Sequence, residues 1–302
     1  MVDIHLNQRQ SATMALFFGA VLISTSSVWV KLADLAPTVS GFYRMAIGGI
    51  CLLFICLITG RSLWHSGSYA LKLLAAASFF AVDLWLWHRS IIYVGPGLAT
   101  VLGNFQVFFM TLFGVMFLHE RVGWKFIVGL GLAFVGLFLL VGVDWSNVDS
   151  DYRWGVVFGL STAVAYTGFM LVMRKLQGQH DTLSPMSNLG VMSVFCAIIL
   201  AGVAIFEQQS FAINDRQTLF SMISLGVFCQ VIGWVVITRS MPLLATSVVG
   251  LLLLLQPALS MLWDVLFFAR PTTSLDVLGF FAVMVGIYVA SMRRKRLVRS
   301  NG

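Results

Sequence analysis

The stretch at residues 78–95, SFFAVDLWLWHRSIIYVG, combines an apolar run with side chains that can carry charge. Asp83 lies in the middle of the run, Trp87 follows, and His88 comes directly after it. A charged side chain in the centre of a membrane helix costs about 2.5–3.5 kcal/mol on insertion scales, so such residues usually face a cavity or a partner. The stretch therefore indicates a polar site in an apolar environment.

The helical face that carries Asp83 also carries aromatic rings. At 100° per residue it includes Phe79, Phe80 and Trp87. The carboxylate could attract an ammonium group, and the rings could stack on a ligand or hold a cation. Two other interpretations remain open, namely a structural Asp83 paired with Arg44 or with the backbone, and an Asp83 that takes up and releases protons.

Two more ionisable residues are candidates for an ion pair or for proton coupling. Arg44 could reach the membrane surface, pair with Asp83, or hold the carboxylate of a ligand. His88 lies nearer the end of its helix, where it is either a hydrogen-bonded structural residue or titrates together with Asp83.

Uncharged polar residues in other apolar runs extend the candidate site. Asn104 and Gln106 lie among phenylalanines, and Gln256 precedes Pro257, which removes a backbone hydrogen bond and kinks the helix. A kink exposes carbonyls that only a cavity or a neighbouring helix can satisfy. The two glutamines therefore either line a cavity or clamp two helices. The remaining candidates for substrate contact are Tyr43, Tyr166, Gln230 and Trp234.

The composition requires an apolar environment for most of the surface. The 302 residues are 59% hydrophobic and only 10% charged, whereas soluble domains carry about 25% charged residues. Mean hydropathy is +0.92. The net charge of +7 does not predict nucleic-acid binding, because five of the 19 basic residues fall in the C-terminal RRKRLVR next to an apolar run. The spacing of the four cysteines fits no metal site, and we expect no cofactor.

Ten segments are apolar enough to cross a membrane as helices, for which roughly 17–25 residues suffice. We therefore predict an all-α membrane protein embedded in the lipid bilayer, with spans at 12–31, 38–59, 70–92, 97–118, 124–142, 154–173, 186–206, 218–238, 244–268 and 274–292.

The distribution of basic residues predicts which side faces the cytoplasm. Ten spans place both termini on one side, and if that side is cytoplasmic it holds thirteen basic residues against six elsewhere. Short cytoplasmic loops are enriched in Lys and Arg. We therefore predict that the N- and C-termini are both cytoplasmic.

An internal repeat appears when the sequence is shifted by 150 positions. The matches are Arg89-Ser90 with Arg239-Ser240, Gln106 with Gln256, Gly129 with Gly279 and Gly136 with Gly286. We predict a first five-helix half at 1–145 and a second, inverted half at 146–302 that ends in the basic tail. Inverted repeats of this kind are typical of secondary transporters, whose substrate site lies near the midplane between the halves.

Ten spans in two inverted five-helix repeats resemble the EamA-type branch of the drug/metabolite transporter superfamily. The clearest local resemblance is GVMFLHERVGWKFIVGLGLAFVGLFLLVG at 114–142, where a Glu120-Arg121 turn precedes a glycine-rich span. The second half departs from this pattern, because Arg270 stands where Glu120 would be. Within the superfamily, the aromatic content and overall plan look most like the aromatic amino-acid exporters of the YddG type.

The resemblance implies export of amino acids or other small metabolites across a bacterial inner (plasma) membrane by alternating access. Drugs or other metabolites are the alternative substrates, and the oligomeric state is left open. An enzyme is not expected, because the sequence contains no HExxH, no GxSxG and no catalytic Cys/His pair. A passive channel is the less favoured transport mode.

Overall fold

The computed structural model describes residues 2–141, 150–178, 183–269 and 272–291. Within these ranges the chain forms helices and no strand. The helices are α1 (Val2–Ser24), α2 (Ser26–Leu32), α3 (Pro37–Ile58), α4 (Gly67–Gly103), α5 (Gln106–Leu118), α6 (Trp124–Val141), α7 (Ser150–Gln177), α8 (Pro185–Phe206), α9 (Arg216–Ser224), a π-helical segment (Leu225–Gly233), α10 (Trp234–Ser240), a 3-10 turn (Met241–Leu243), α11 (Thr246–Leu253), α12 (Leu255–Phe268) and α13 (Ser274–Ser291).

The predicted all-helical membrane architecture is confirmed in the described residues. Seven helical stretches there are long and apolar enough to cross a membrane, and three shorter apolar helices lie at Gln106–Leu118, Trp124–Leu139 and Ser274–Ala290. The three shorter helices coincide with the predicted fourth, fifth and tenth spans. The boundary between the predicted halves at 145/146, Arg270 and the basic tail lie outside the described residues.

Helix α4 covers all of the third predicted span and the start of the fourth. Residues twelve positions apart in a straight helix are separated by roughly 18 Å. A methyl group on Gly159 would nevertheless lie 2.9 Å from Ser90 Oγ and 2.7 Å from Leu102 Cβ. Ser90 also donates a hydrogen bond to the Gly155 carbonyl. The chain therefore reverses direction between Ser90 and Leu102, which gives two antiparallel arms without an extended loop.

Three other spans are interrupted near their middle. The first breaks at Thr25, whose hydroxyl donates to the Leu22 carbonyl at 2.7 Å. The ninth breaks at Leu254, because Pro257 has no N–H to continue the α-helical hydrogen bonds. In the eighth, the π-helical segment Leu225–Gly233 separates α9 from α10. Such segments often mark functional positions.

Glycines let α6 and α13 approach each other closely. A side chain at Gly129 would collide with the Gly286 carbonyl, and a methyl group on Gly136 would lie 2.6 Å from the Gly279 carbonyl. Small residues let membrane helices pack this closely. In the 150-residue register, Gly129 corresponds to Gly279 and Gly136 corresponds to Gly286. Each glycine of α6 therefore contacts the counterpart of the other.

Candidate functional site

Four aromatic rings from α4, α7 and α10 meet in the interior of the bundle. Phe80 and Phe169 stack with centroids 4.4 Å apart, and Trp234 meets Phe169 edge-on at 5.1 Å. Tyr166 completes the group at 6.1 Å from Trp234. Phe80, Phe169 and Trp234 are at most 2% exposed. The sequence predicted Tyr166 and Trp234 as cavity residues, and the structure brings these two together.

A polar chain crosses the same level of the bundle. Arg44 Nε on α3 donates to Gln230 Oε1 in the π-helical segment at 3.3 Å. Gln230 Nε2 in turn donates to Ser193 Oγ on α8 at 2.9 Å. Gln230 and Ser193 are both completely buried. The guanidinium of Arg44 on α3 is therefore linked to the π-helical segment directly and to α8 through Gln230.

Asp83 lies close enough to Arg44 for their charges to interact, and the same holds for Tyr166. Asp83 is only 6% exposed. Among the described residues, its carboxylate makes no hydrogen bond or ion pair, and the terminal Nη atoms of Arg44 make none either. Burying a charge is costly unless it is paired. Asp83 and the guanidinium of Arg44 are therefore neighbours of opposite ordinary charge that make no direct hydrogen bond to each other.

Five polar atoms on α4, α5, α7, α10 and α12 lack a partner in the part of the chain that the structure describes. They are buried, and Tyr166 lies beside one of them, Gln256. Buried polar groups usually bind a protein atom or an ordered water molecule, so this region is suited to hold water or a polar ligand. The unpartnered atoms are His88 Nδ1, Gln106 Oε1, Thr162 Oγ1, Trp234 Nε1 and Gln256 Nε2.

The other predicted site residues lie around this centre. Trp87 contacts the ring of His88 at 5.2 Å between centroids, and Asn104 Nδ2 donates to the Thr100 carbonyl at the break between α4 and α5. Phe79 is 41% exposed, whereas its neighbour Phe80 enters the aromatic group. Tyr43 lies further away and donates its hydroxyl to the Phe211 carbonyl at 2.6 Å.

Glu207 is the centre of a second network of hydrogen bonds. It lies at what we call the distal end of the bundle, which is defined by Thr38, Arg89 and Glu207. Arg89 pairs with Glu207 at 2.6 Å, and Trp85 Nε1 donates to the same oxygen at 2.9 Å. Thr38 and Gln209 donate to the other oxygen at 3.2 and 2.9 Å. The Arg89 guanidinium also lies 4.0 Å above the Trp85 ring.

Sequence reasoning did not connect Glu207 to this network, because its position directly after α8 is 118 residues away from Arg89. A local signal was available in Trp85 and Arg89. They are four positions apart on one helix, a spacing that brings side chains into contact and suits a cation–π pair.

Glu120 occupies the opposite, proximal end, defined by Glu120 and Thr246. Its carboxylate accepts hydrogen bonds from the backbone N–H groups of Thr246 and Ser247 at 2.6 and 3.1 Å, and from Ser247 Oγ at 2.9 Å. Ala245, the residue before α11, has no side chain that could cap this helix. Burial opposes ionisation, but these hydrogen bonds outweigh it and hold the pKa of Glu120 below its usual value.

The known family whose sequence pattern fits this chain is the one described as the EamA-like transporter family. It matches twice, at residues 10–142 and 153–292, which together cover most of the chain. The chain belongs to the EamA-like transporter family. The resemblance to the EamA branch of the drug/metabolite transporters is thereby confirmed, and this EamA-like transporter is a multi-pass membrane protein.

Relatives of the EamA-like transporter include proteins with and without a named substrate. The uncharacterized inner membrane transporter YhbE of Escherichia coli is 23% identical, over 91% of this chain and 87% of its own. A probable amino-acid metabolite efflux pump of Escherichia coli is 25% identical, over 64% and 66%. The pseudopaline exporter CntI of Pseudomonas aeruginosa is 23% identical, over 84% and 86%.

A solved crystal structure shares the fold of the EamA-like transporter. The TM-score is 0.76 at 17% identity, and the match covers 93% of this chain and 97% of the other. At this identity the likeness bears on the fold alone.

Proposed function

We propose that the protein exports amino acids, aromatic or other hydrophobic ones, by alternating access through the interior of the bundle. The observation that carries this proposal is the unpaired Arg44 and Asp83 beside the aromatic group. A free amino acid bears a carboxylate and an ammonium on the same carbon, so one molecule can pair with both Arg44 and Asp83. The loss of water from these groups is then offset by two charge-assisted hydrogen bonds.

Each predicted site residue has a role in this proposal. Asp83 holds the ammonium, Arg44 holds the carboxylate, and Tyr166 with Trp234 contacts the apolar side chain. His88 and Asp83 are the groups that would couple export to protons. Trp87, Asn104, Gln106 and Gln256 border the path. Gln230 holds Arg44, and Tyr43 and Phe79 lie on the outer side of the wall.

Two observations support an inverted repeat of five helices in each half, with a boundary near residue 145. The family matches the chain in two successive stretches, 10–142 and 153–292. The reciprocal contacts of Gly129 with Gly286 and of Gly136 with Gly279 are those expected at a two-fold axis between the halves.

Alternating access also needs an end that closes. The Glu207 network joins α3, α4 and α8 at the distal end, and we assign it as the closure on that side. With both termini in the cytoplasm of a bacterium, the distal end faces away from the cytoplasm. One relative is itself named an inner membrane transporter, which supports a place in the inner membrane.

The proposal is tested with purified protein in liposomes and three labelled probes of the same shape. L-phenylalanine carries both charges, phenethylamine lacks the carboxylate, and 3-phenylpropionate lacks the ammonium. We expect transport of L-phenylalanine only. Asp83→Asn should reduce it at least tenfold, because the ammonium loses its ionic partner. Equal transport of phenethylamine and L-phenylalanine, or no transport of any amino acid, would refute the proposal.

A different metabolite is the second candidate, and the relative named as a pseudopaline exporter favours it. The same liposomes loaded with a panel of metabolites other than amino acids, including pseudopaline, separate the two candidates. Transport of the panel without transport of L-phenylalanine would replace amino acids by these compounds as the substrate class.

A further inference from the structure

The arrangement around Arg44 requires a fixed orientation of the Gln230 amide. An arginine Nε–H only donates, so its partner must be the amide oxygen of Gln230. The amide nitrogen must then point the other way, where it finds Ser193 Oγ at 2.9 Å. Ser193 therefore binds the end of the amide that points away from Arg44, and it anchors Gln230 in the orientation that Arg44 requires.

Packing between α3 and the π-helical segment holds Gln230 in this place. Gly48 is four positions after Arg44 and shares its helical face. A side chain at Gly48 would collide with the methylene groups of Gln230, and one at Gly226 would meet Ile47 at 2.7 Å. The absence of a side chain at Gly48 thus lets Gln230 lie flat against α3, within reach of Arg44.

The hydrogen bond to Gln230 restricts the direction in which the Arg44 guanidinium points. With Nε bound to Gln230, rotation about the end of the Arg44 side chain is restricted. Both Nη atoms then remain for another acceptor, and among the described residues they have none. A guanidinium held in one plane presents two parallel N–H donors to a carboxylate.

We propose, on the basis of the amino-acid transport proposed above, that Ser193 and Gln230 are positioning residues that select for the substrate carboxylate by orienting Arg44. They do not touch the substrate themselves. Gln230 is completely buried and both of its polar atoms are engaged, so its role differs from the direct substrate contact that its polarity in an apolar span suggested.

The first test measures transport by Ser193→Ala, with Ser193→Thr as the variant that keeps the hydroxyl. Removing one neutral hydrogen bond changes an affinity by about five- to tenfold. We expect the KM for L-phenylalanine to rise by that factor in Ser193→Ala at unchanged maximal rate, and to stay near wild type in Ser193→Thr. A fall in maximal rate without a change in KM would contradict the proposal.

A matched control is available on the same helix. Ser187 is also completely buried on α8, but its hydroxyl lies 2.8 Å from Ser184 Oγ and away from Arg44. Ser187→Ala should leave the KM for L-phenylalanine unchanged. An equal rise in both alanine variants would show a general packing defect and overturn the assignment of Ser193.

The second test does not depend on transport. In protein with nitrogen-15-labelled arginine side chains, the Nε resonance of Arg44 is identified by its loss in Arg44→Lys. We expect it to shift in Ser193→Ala and in Gly48→Ala, and to be unchanged in Ser187→Ala. An unchanged resonance in Ser193→Ala would overturn the positioning role, whether or not the wild type transports amino acids. If the wild type transports none while the resonance shifts, the proposed function fails and the positioning of Arg44 stands.

Discussion

The two ends of the bundle are each held by a glutamate, but the two carboxylates bind different kinds of group. Glu207 at the distal end accepts four hydrogen bonds from side chains, including those of Thr38 on α3 and Arg89 on α4. Glu120 at the proximal end accepts from two backbone N–H groups and one hydroxyl, all in the first turn of a single helix, α11. Glu207 therefore joins several helices, whereas Glu120 caps the start of one helix.

The difference between the partners of Glu207 and those of Glu120 predicts which end of the bundle can open. Side-chain contacts between helices separate when the helices move apart, and their partners then find water. A backbone N–H at a helix start needs an acceptor in every conformation in which that helix exists. We therefore expect Glu207 to control access to the interior and Glu120 to control stability.

The largest expected effect is that of Glu207→Ala on opening of the distal end. The change leaves Arg89 without its carboxylate and removes the acceptor for Trp85 and Thr38. Charge-assisted hydrogen bonds contribute about 1.5–3 kcal/mol, so the open population should rise about ten- to a hundredfold. Labelling of a single cysteine at position 106 from the distal side, after replacement of the four native cysteines, measures this population.

Glu207→Gln is the control for charge, since its single amide oxygen keeps an acceptor for Trp85 while the negative charge is lost. It should give an intermediate labelling rate. If neither variant labels faster than the wild type, the Glu207 network is not a closure.

A smaller effect is expected for Glu120→Ala, and on a different quantity. Loss of a helix cap costs about 0.5–2 kcal/mol of stability, and α11 has no cap of its own. We expect a lower thermal unfolding temperature in detergent and an unchanged labelling rate at position 106. Faster labelling without a loss of stability would reverse the roles assigned to the two ends.

The smallest effect is on the pH dependence of stability. The pKa of Glu120 is lower in the folded protein than in the unfolded chain. The contribution of ionised Glu120 to stability is therefore fully present above the unfolded pKa of about 4.3. It is lost as the pH falls through the lower, folded pKa. The difference in unfolding temperature between the wild type and Glu120→Gln should shrink as the pH is lowered from 6 towards 3. A constant difference would mean that the charge of Glu120 contributes nothing.

Much of the architecture followed from local sequence. Long apolar runs predict membrane helices because the backbone must satisfy its own hydrogen bonds in lipid. The Glu120-Arg121 turn was recognised for its resemblance to the family, but its partner was not predicted. Thr246 lies 126 positions further along the chain, and no pattern within one segment indicates a contact at that distance.

The candidate site shows the same division between local and long-range information. The apolar setting of Asp83, Arg44 and Gln230 was sufficient to single them out, because polar groups are costly to bury in a membrane and usually have a partner or a function there. The sequence left open whether Arg44 binds Asp83, and in the structure it binds Gln230. The 150-residue repeat register does not indicate Gln230 as the partner of Arg44, because Gln230 corresponds to Phe80 in that register.

By itself, the sequence determined that this chain is an all-helical membrane protein of the EamA-like family with polar residues buried in its spans. The tertiary structure alone decided that Phe80 enters the aromatic group, while its neighbour Phe79 faces outward. It also decided that Gln230 lies between Arg44 and Ser193 and binds both. The physical reason is that helical periodicity fixes which residues share a face, whereas the rotation of each helix against its neighbours depends on side-chain packing across the whole bundle.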